Sequence, residues 1–91
     1  MNPGTVYHDK SDLSMLERRK SEELSNFLRI LQRRLSISTQ GIMASQIGMT
    51  ESTYKKRLKH PDQLTTRNWW QIERMAIRAG MKVPEVLLHD V

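Results

Sequence analysis

The stretch from Gln40 to Lys59, QGIMASQIGMTESTYKKRLK, constrains the fold of this chain more than any other part. Ala44 is a small residue in the middle of a short helical pattern, and Gly48 follows four positions later. Glycine adopts a positive φ at little steric cost, so the chain can reverse sharply at Gly48 and begin a second helix. The pattern therefore predicts two short helices joined by a tight turn.

The second of these helices is predicted to have one apolar face and one basic face. Thr50 offers a side-chain oxygen that can cap the helix, and Tyr54 and Leu58, four residues apart, form an apolar stripe. A compact helix pair whose second helix presents a polar, cationic face has the physical form of a helix-turn-helix that reads DNA. The residues left on the outward face are Glu51, Ser52, Lys55, Lys56 and Lys59.

The positive charge of the chain is concentrated after its first 28 residues. Residues 1–28 carry four Lys or Arg and five Asp or Glu, whereas the other residues carry eleven and five. An uneven positive field favours polyanionic partners, but many basic proteins bind no nucleic acid. Charge alone therefore discriminates poorly between classes of protein.

Length and composition limit the class of protein further. The 91 residues, 37% of them hydrophobic, suffice for one small domain that dimerisation could stabilise. The chain contains no cysteine, which excludes disulfides and thiolate metal sites. No stretch approaches the roughly 20 apolar residues of a membrane span, and the first residues lack the apolar core of a signal peptide. We expect an intracellular protein with no membrane partner.

The spacing of the apolar residues predicts an all-α fold with about five helices. Met1–Ser11 is predicted to be a flexible arm. A helical pattern begins at Asp12 and resumes up to Leu35, so the first long helix is either continuous over these residues or starts anew at Glu22. In the second case Ser21 is the cap, and residues 12–20 are a separate helix or a mobile lead-in. We therefore divide the chain into an arm or lead-in of residues 1–20 and a domain of residues 21–91. Within the domain, five helices are predicted, over residues 21–35, 40–47, 50–59, 66–79 and 84–88.

A series of residues at ordered spacing carries a family resemblance. The series comprises Thr39-Gln40, Ala44, Gly48-Met49-Thr50, Thr53-Tyr54, Arg57-Leu58-Lys59 closing at Pro61, and an apolar helix that ends at Gly80. On the basis of this series, residues 39–88 resemble the helix-turn-helix domain of phage repressor and Cro-like regulators. These form the xenobiotic-response-element class of bacterial and phage DNA-binding proteins. Arg57 departs from the family pattern, which has a buried aliphatic residue there, so either Leu58 takes the apolar role or the arginine stem lies across the core edge.

The resemblance implies several contacts with the DNA backbone. Gln40, at the start of the first motif helix, would contact a phosphate, aided by the amide end of that helix. Arg67 and Asn68, at the start of the following helix, would make a second backbone contact. Lys55 and Lys59 are suited to phosphates, which position a protein without specifying a sequence.

The resemblance also implies contacts in the major groove. Thr50 would contact the backbone or a phosphate, and Glu51, Ser52 and Lys56 would lie close to base edges. Their chemistry permits this, since lysine can donate to guanine, glutamate can accept from cytosine, and serine can do either.

Two functional hypotheses follow. The first is a homodimeric, sequence-specific regulator of double-stranded DNA in the cytoplasm of a bacterial cell, associated with the nucleoid, that represses by occlusion. The second is an antitoxin or anti-repressor that uses the same fold and works chiefly through a protein partner. Trp70 and Ile77, predicted to lie away from the core, or the N-terminal arm would bind that partner.

Catalysis is the least supported class of function. The serines lie in connectors and caps, and the chain has no glycine-rich phosphate loop. His8, His60 and His89 are too scattered to form a metal site. We expect neither an enzyme nor a bound metal or cofactor.

Overall fold

The computed structural model describes residues 4–88, with side chains described from Met15 onwards. Within residues 4–88 there are five α-helices and no strand, which confirms the predicted all-α fold. A short 3-10 turn over Pro61–Gln63 separates the third helix from the fourth. The helices are α1 (Gly4–Arg34), α2 (Gln40–Ile47), α3 (Glu51–Lys59), α4 (Thr66–Arg78) and α5 (Glu85–Leu88).

All five helices contribute to one hydrophobic core. α1 provides four of its side chains at spacings of three and four residues, which is the stripe expected of an amphipathic helix. Burying a leucine or isoleucine side chain fully stabilises a fold by about 1.5–3 kcal/mol. The core residues are Leu24, Phe27, Leu28, Leu31, Met43, Ala44, Ile47, Tyr54, Ile72, Met75, Ala76 and Leu87.

α1 is one continuous helix of 31 residues. The new helix start considered at Ser21 does not occur, because α1 runs through it. The predicted flexible arm begins with residues 1–3, which lie outside the described residues, and its part from Gly4 to Ser11 belongs to α1. No glycine or proline interrupts the chain between Gly4 and Gly41, and the intervening charged residues are good helix formers. The Ser21 hydroxyl donates to the carbonyl of Leu58 at 2.6 Å, so it ties α1 to the end of α3 and caps no helix.

Local chemistry sets the ends of the short helices. Thr39, Thr50 and Thr65 each accept a hydrogen bond from the amide three residues later, at 3.1, 3.2 and 3.0 Å. Such N-caps typically stabilise a helix by about 1 kcal/mol. Gly48 and Gly80 end α2 and α4 with φ of 101° and 68°, a region that favours glycine, which confirms the predicted stops. Among residues 4–88, no helix combines the length and apolar character that crossing a membrane requires.

Candidate nucleic-acid interface

α3 is held by its inner face and leaves its outer face open. Tyr54 is only 3% exposed and Leu58 packs against the core, so the predicted apolar stripe is confirmed. The amide of Met49 donates to the carbonyl of Ala44 at 3.0 Å, which closes the turn between α2 and α3. The residues predicted to point outward are all exposed: Glu51, Ser52, Lys55, Lys56 and Lys59. Thr50, which the resemblance implies as a backbone or phosphate contact, is exposed as well.

An ion pair crosses the outer face of α3. Lys55 Nζ lies 3.1 Å from Glu51 Oε2, one helical turn away, and both side chains are half-exposed. Exposed pairs of this kind contribute little to stability. The other Glu51 carboxylate oxygen faces α2, because a Cβ at Gly41 would lie 3.0 Å from Glu51 Oε1. Part of the Lys55 charge is therefore neutralised by a neighbour on the same helix.

Ser52, Lys56 and Lys59 form the open part of the outer face. Thr50 uses its hydroxyl oxygen to cap α3, and Lys55 is paired with Glu51. By contrast, within the part of the chain that the structure describes, the three side chains make no hydrogen bond or ion pair. Their polar groups are therefore available to an external ligand.

Arg57 and Asn68 join α3 to α4. Arg57 Nη1 donates to Asn68 Oδ1 at 2.7 Å, and the same oxygen accepts from the Thr65 amide at 3.0 Å. Asn68 Nδ2 donates to the carbonyl of Ile47 at 3.3 Å. Asn68 is 5% exposed, so it is a structural residue, and its predicted role as a DNA contact does not fit this position. Arg57 is half-buried, so its stem lies at the core edge.

A cleft of about 250 Å³ opens beside the amino end of α2. It brings the α1 residue Arg29 to the same place as Gln40, the exposed first residue of α2. An α-helix carries partial positive charge at its amino end, so the guanidinium and the helix end favour the same anionic ligand. The residues that line the cleft are Ser25, Arg29, Gln32, Gln40, Tyr54 and Leu58.

Sequence reasoning missed the α1 side of this cleft. Ser25, Arg29 and Gln32 follow one another at spacings of four and three, so they share one side of the helix beside the buried stripe. That spacing is the signal that could have identified them. Arg67, which was predicted, is exposed in the first turn of α4, next to the asparagine that bonds to α3.

In comparisons with protein-family models, curated proteins and solved structures, no match to this chain was found. The candidate interface therefore rests on geometry alone. Arg29, Gln40, Lys56, Lys59 and Arg67 are exposed and belong either to α3 or to parts of α1, α2 and α4 that adjoin it. We call these five residues the basic surface. A surface of cations and amide donors around an open helix face suits a polyanion.

Burial of Tyr54 predicts a pH dependence of stability. Desolvation raises the pKa of Tyr54 from 10.0 to about 12. The folded state thus favours the neutral phenol, and its contribution is fully present below about pH 10 and is lost as the pH rises through 12. We expect the melting temperature of the native chain to fall more steeply between these pH values than that of Tyr54→Phe. This variant lacks the Tyr54 phenol and keeps every other side chain, so it serves as the reference. Parallel curves for the two proteins would contradict this.

Proposed function

We propose that this protein is a sequence-specific regulator of double-stranded DNA that inserts α3 into the major groove as one half of a homodimer. The observation that carries the proposal is the outer face of α3, where Ser52, Lys56 and Lys59 lack partners among the described residues. The residues of the basic surface lie on α3 or on adjoining parts of α1, α2 and α4. An α-helix of this size fits the width of the major groove of B-DNA. The protein would act in the cytoplasm of a bacterial cell, at the nucleoid.

Within the proposal, residues in the first turns of α3 contact the DNA bases. Lys56 donates to guanine acceptors and Ser52 can donate or accept at any base edge. Glu51 accepts from cytosine, and to do so its carboxylate leaves Lys55, with which it is paired at 3.1 Å. Lys55 then becomes available to a phosphate, so the exchange of one ion pair for two DNA contacts accompanies binding.

Phosphate contacts in the proposal come from the periphery of α3. Gln40 and Arg29 hold one phosphate at the cleft beside the amino end of α2. Lys59 and Arg67 hold phosphates at the carboxyl end of α3 and the start of α4. These contacts supply affinity and register and make binding salt-dependent. A dimer bound in this way covers two half-sites about 34 Å apart and represses by occluding the site.

The test is a selection of binding sites from a random duplex pool, followed by gel shifts with the full chain. Ser52→Ala and Lys56→Ala are expected to change the preferred sequence, because each removes a base contact. Lys59→Ala is expected to weaken binding to all duplexes by a similar factor and to flatten its salt dependence. Equal binding of the native chain to every duplex would refute sequence specificity.

A second candidate function is that of an antitoxin or anti-repressor acting through a protein partner. The observation in its favour is the exposure of two large apolar side chains of α4, Trp70 at 53% and Ile77 at 77%. A stoichiometric partner that co-purifies with the chain, together with no detectable operator binding, would favour this candidate over the first.

A further inference from the structure

The outward face of α4 carries an apolar line that no described residue covers. Trp70 and Ile77 are two turns apart, so they lie on nearly the same line along the helix, and both are exposed. Asn68 points towards α3, where it bonds to Arg57. Trp70 is two residues further on, about 200° around the helix. The line therefore faces away from α3.

Two opposite charges flank this apolar line. Glu73 and Arg74 are both exposed, and each is displaced by about 50° from the line, on opposite sides. The Arg74 guanidinium carbon lies 4.9 Å from the centroid of the Trp70 ring. This cation–π contact holds the guanidinium in place while leaving its N–H edge free to bind a carboxylate.

We propose that this face binds a second copy of the chain, with the two α4 helices side by side and pointing in the same direction. Trp70 and Ile77 then meet their own counterparts across a two-fold axis parallel to the helices. A rotation of 180° about this axis places the Glu73 side of one helix opposite the Arg74 side of the other. Glu73 of each copy therefore faces the partner's Arg74. The interface contains two equivalent ion pairs around an apolar centre.

Charge selects this arrangement over the antiparallel one. In an antiparallel pair the two-fold axis is perpendicular to both helices, and each flank stays on its own side of the interface. Glu73 would then face the partner's Glu73, and Arg74 the partner's Arg74. Like charges placed opposite each other repel, whereas opposite charges in the parallel pair attract.

The arrangement also suits a palindromic DNA site, and this one step rests on the proposed function. If Arg67 brings the amino end of α4 to the DNA, a two-fold axis parallel to α4 points at the DNA, as the dyad of a palindrome does. The apolar line faces away from α3, so the two α3 helices lie outermost.

Sedimentation equilibrium of the full chain without DNA tests the proposal. The native chain is expected to dimerise at the concentrations used for NMR. Glu73→Arg alone and Arg74→Glu alone are each expected to raise the dissociation constant of the dimer about tenfold, because each places like charges opposite each other. An equimolar mixture of the two variants restores both ion pairs and is expected to return to the native dissociation constant.

Trp70→Ala is the companion variant, since it removes the apolar centre and leaves the charges. It is expected to raise the dissociation constant at least about tenfold. Ile42→Ala, which removes a half-exposed isoleucine on α2, is the matched control and should leave dimerisation unchanged. Circular dichroism of each variant checks that the helices are retained.

Three results would overturn the proposal. One is a native chain that stays monomeric. Another is that Glu73→Arg and Arg74→Glu each dimerise like the native chain while their equimolar mixture dimerises more tightly. That result is expected if the two α4 helices are antiparallel. The third is native dimerisation by Trp70→Ala. Dimerisation without DNA binding would refute the proposed function alone. Sequence-specific DNA binding by a dimer that Trp70→Ala leaves intact would refute this inference alone.

Discussion

Replacing Asn68 with alanine is expected to lower the free energy of unfolding by about 3 kcal/mol. The change combines the loss of the Asn68 hydrogen bonds with the cost of leaving their polar partners unpaired. The side chain accepts from Arg57 and from the Thr65 amide and donates to the Ile47 carbonyl, all while 5% exposed. Alanine leaves these three groups without their partner. Urea denaturation followed by circular dichroism measures the change as a shift of the midpoint.

Arg67→Ala is the matched control for Asn68→Ala, because the two residues are neighbours at the start of α4. Arg67 is exposed and makes no hydrogen bond or ion pair to described residues, so its removal should change stability by no more than about 0.5 kcal/mol. It should instead weaken DNA binding. If Asn68→Ala kept full stability and lost DNA affinity, Asn68 would be a contact with the DNA backbone, as the resemblance implies.

The features that sequence reasoning predicted correctly are those set by neighbouring residues. Gly48 ends α2 because the αL conformation is local, and Thr39 and Thr50 cap helices because a side-chain oxygen reaches an amide three residues away. The inward stripe of Tyr54 and Leu58 follows from a four-residue spacing. None of these depends on distant parts of the chain.

The features that sequence reasoning missed depend on distant contacts or on a balance of local preferences. Asn68 is a structural residue because it reaches Ile47, 21 residues earlier in the chain, and no local pattern reports that bond. Ser21 has the chemistry of an N-cap, but α1 continues through it and its hydroxyl donates to Leu58 instead. Arg29 had a readable spacing, yet its importance appears only when α1 packs beside the amino end of α2.

Charge reversal at Arg29 is expected to produce the largest loss of DNA affinity from a residue outside α3. Arg29→Glu removes a cation from the cleft beside Gln40 and places a carboxylate where the proposal puts a phosphate. We expect affinity for every duplex to fall at least about tenfold at low salt. The preferred sequence should not change, because phosphate contacts do not read bases.

Lys82→Glu is the matched control, since it changes the net charge by the same amount at an exposed position. Lys82 follows the carboxyl end of α4 and is not among the residues that line the cleft. A general loss of positive field would weaken both variants equally. A phosphate contact at the cleft predicts a much larger loss for Arg29→Glu, a salt slope reduced by about 1 per removed contact, and a difference between the variants that closes as salt is raised. Equal losses would mean that Arg29 acts only through long-range charge, and the cleft would then have no part in binding DNA.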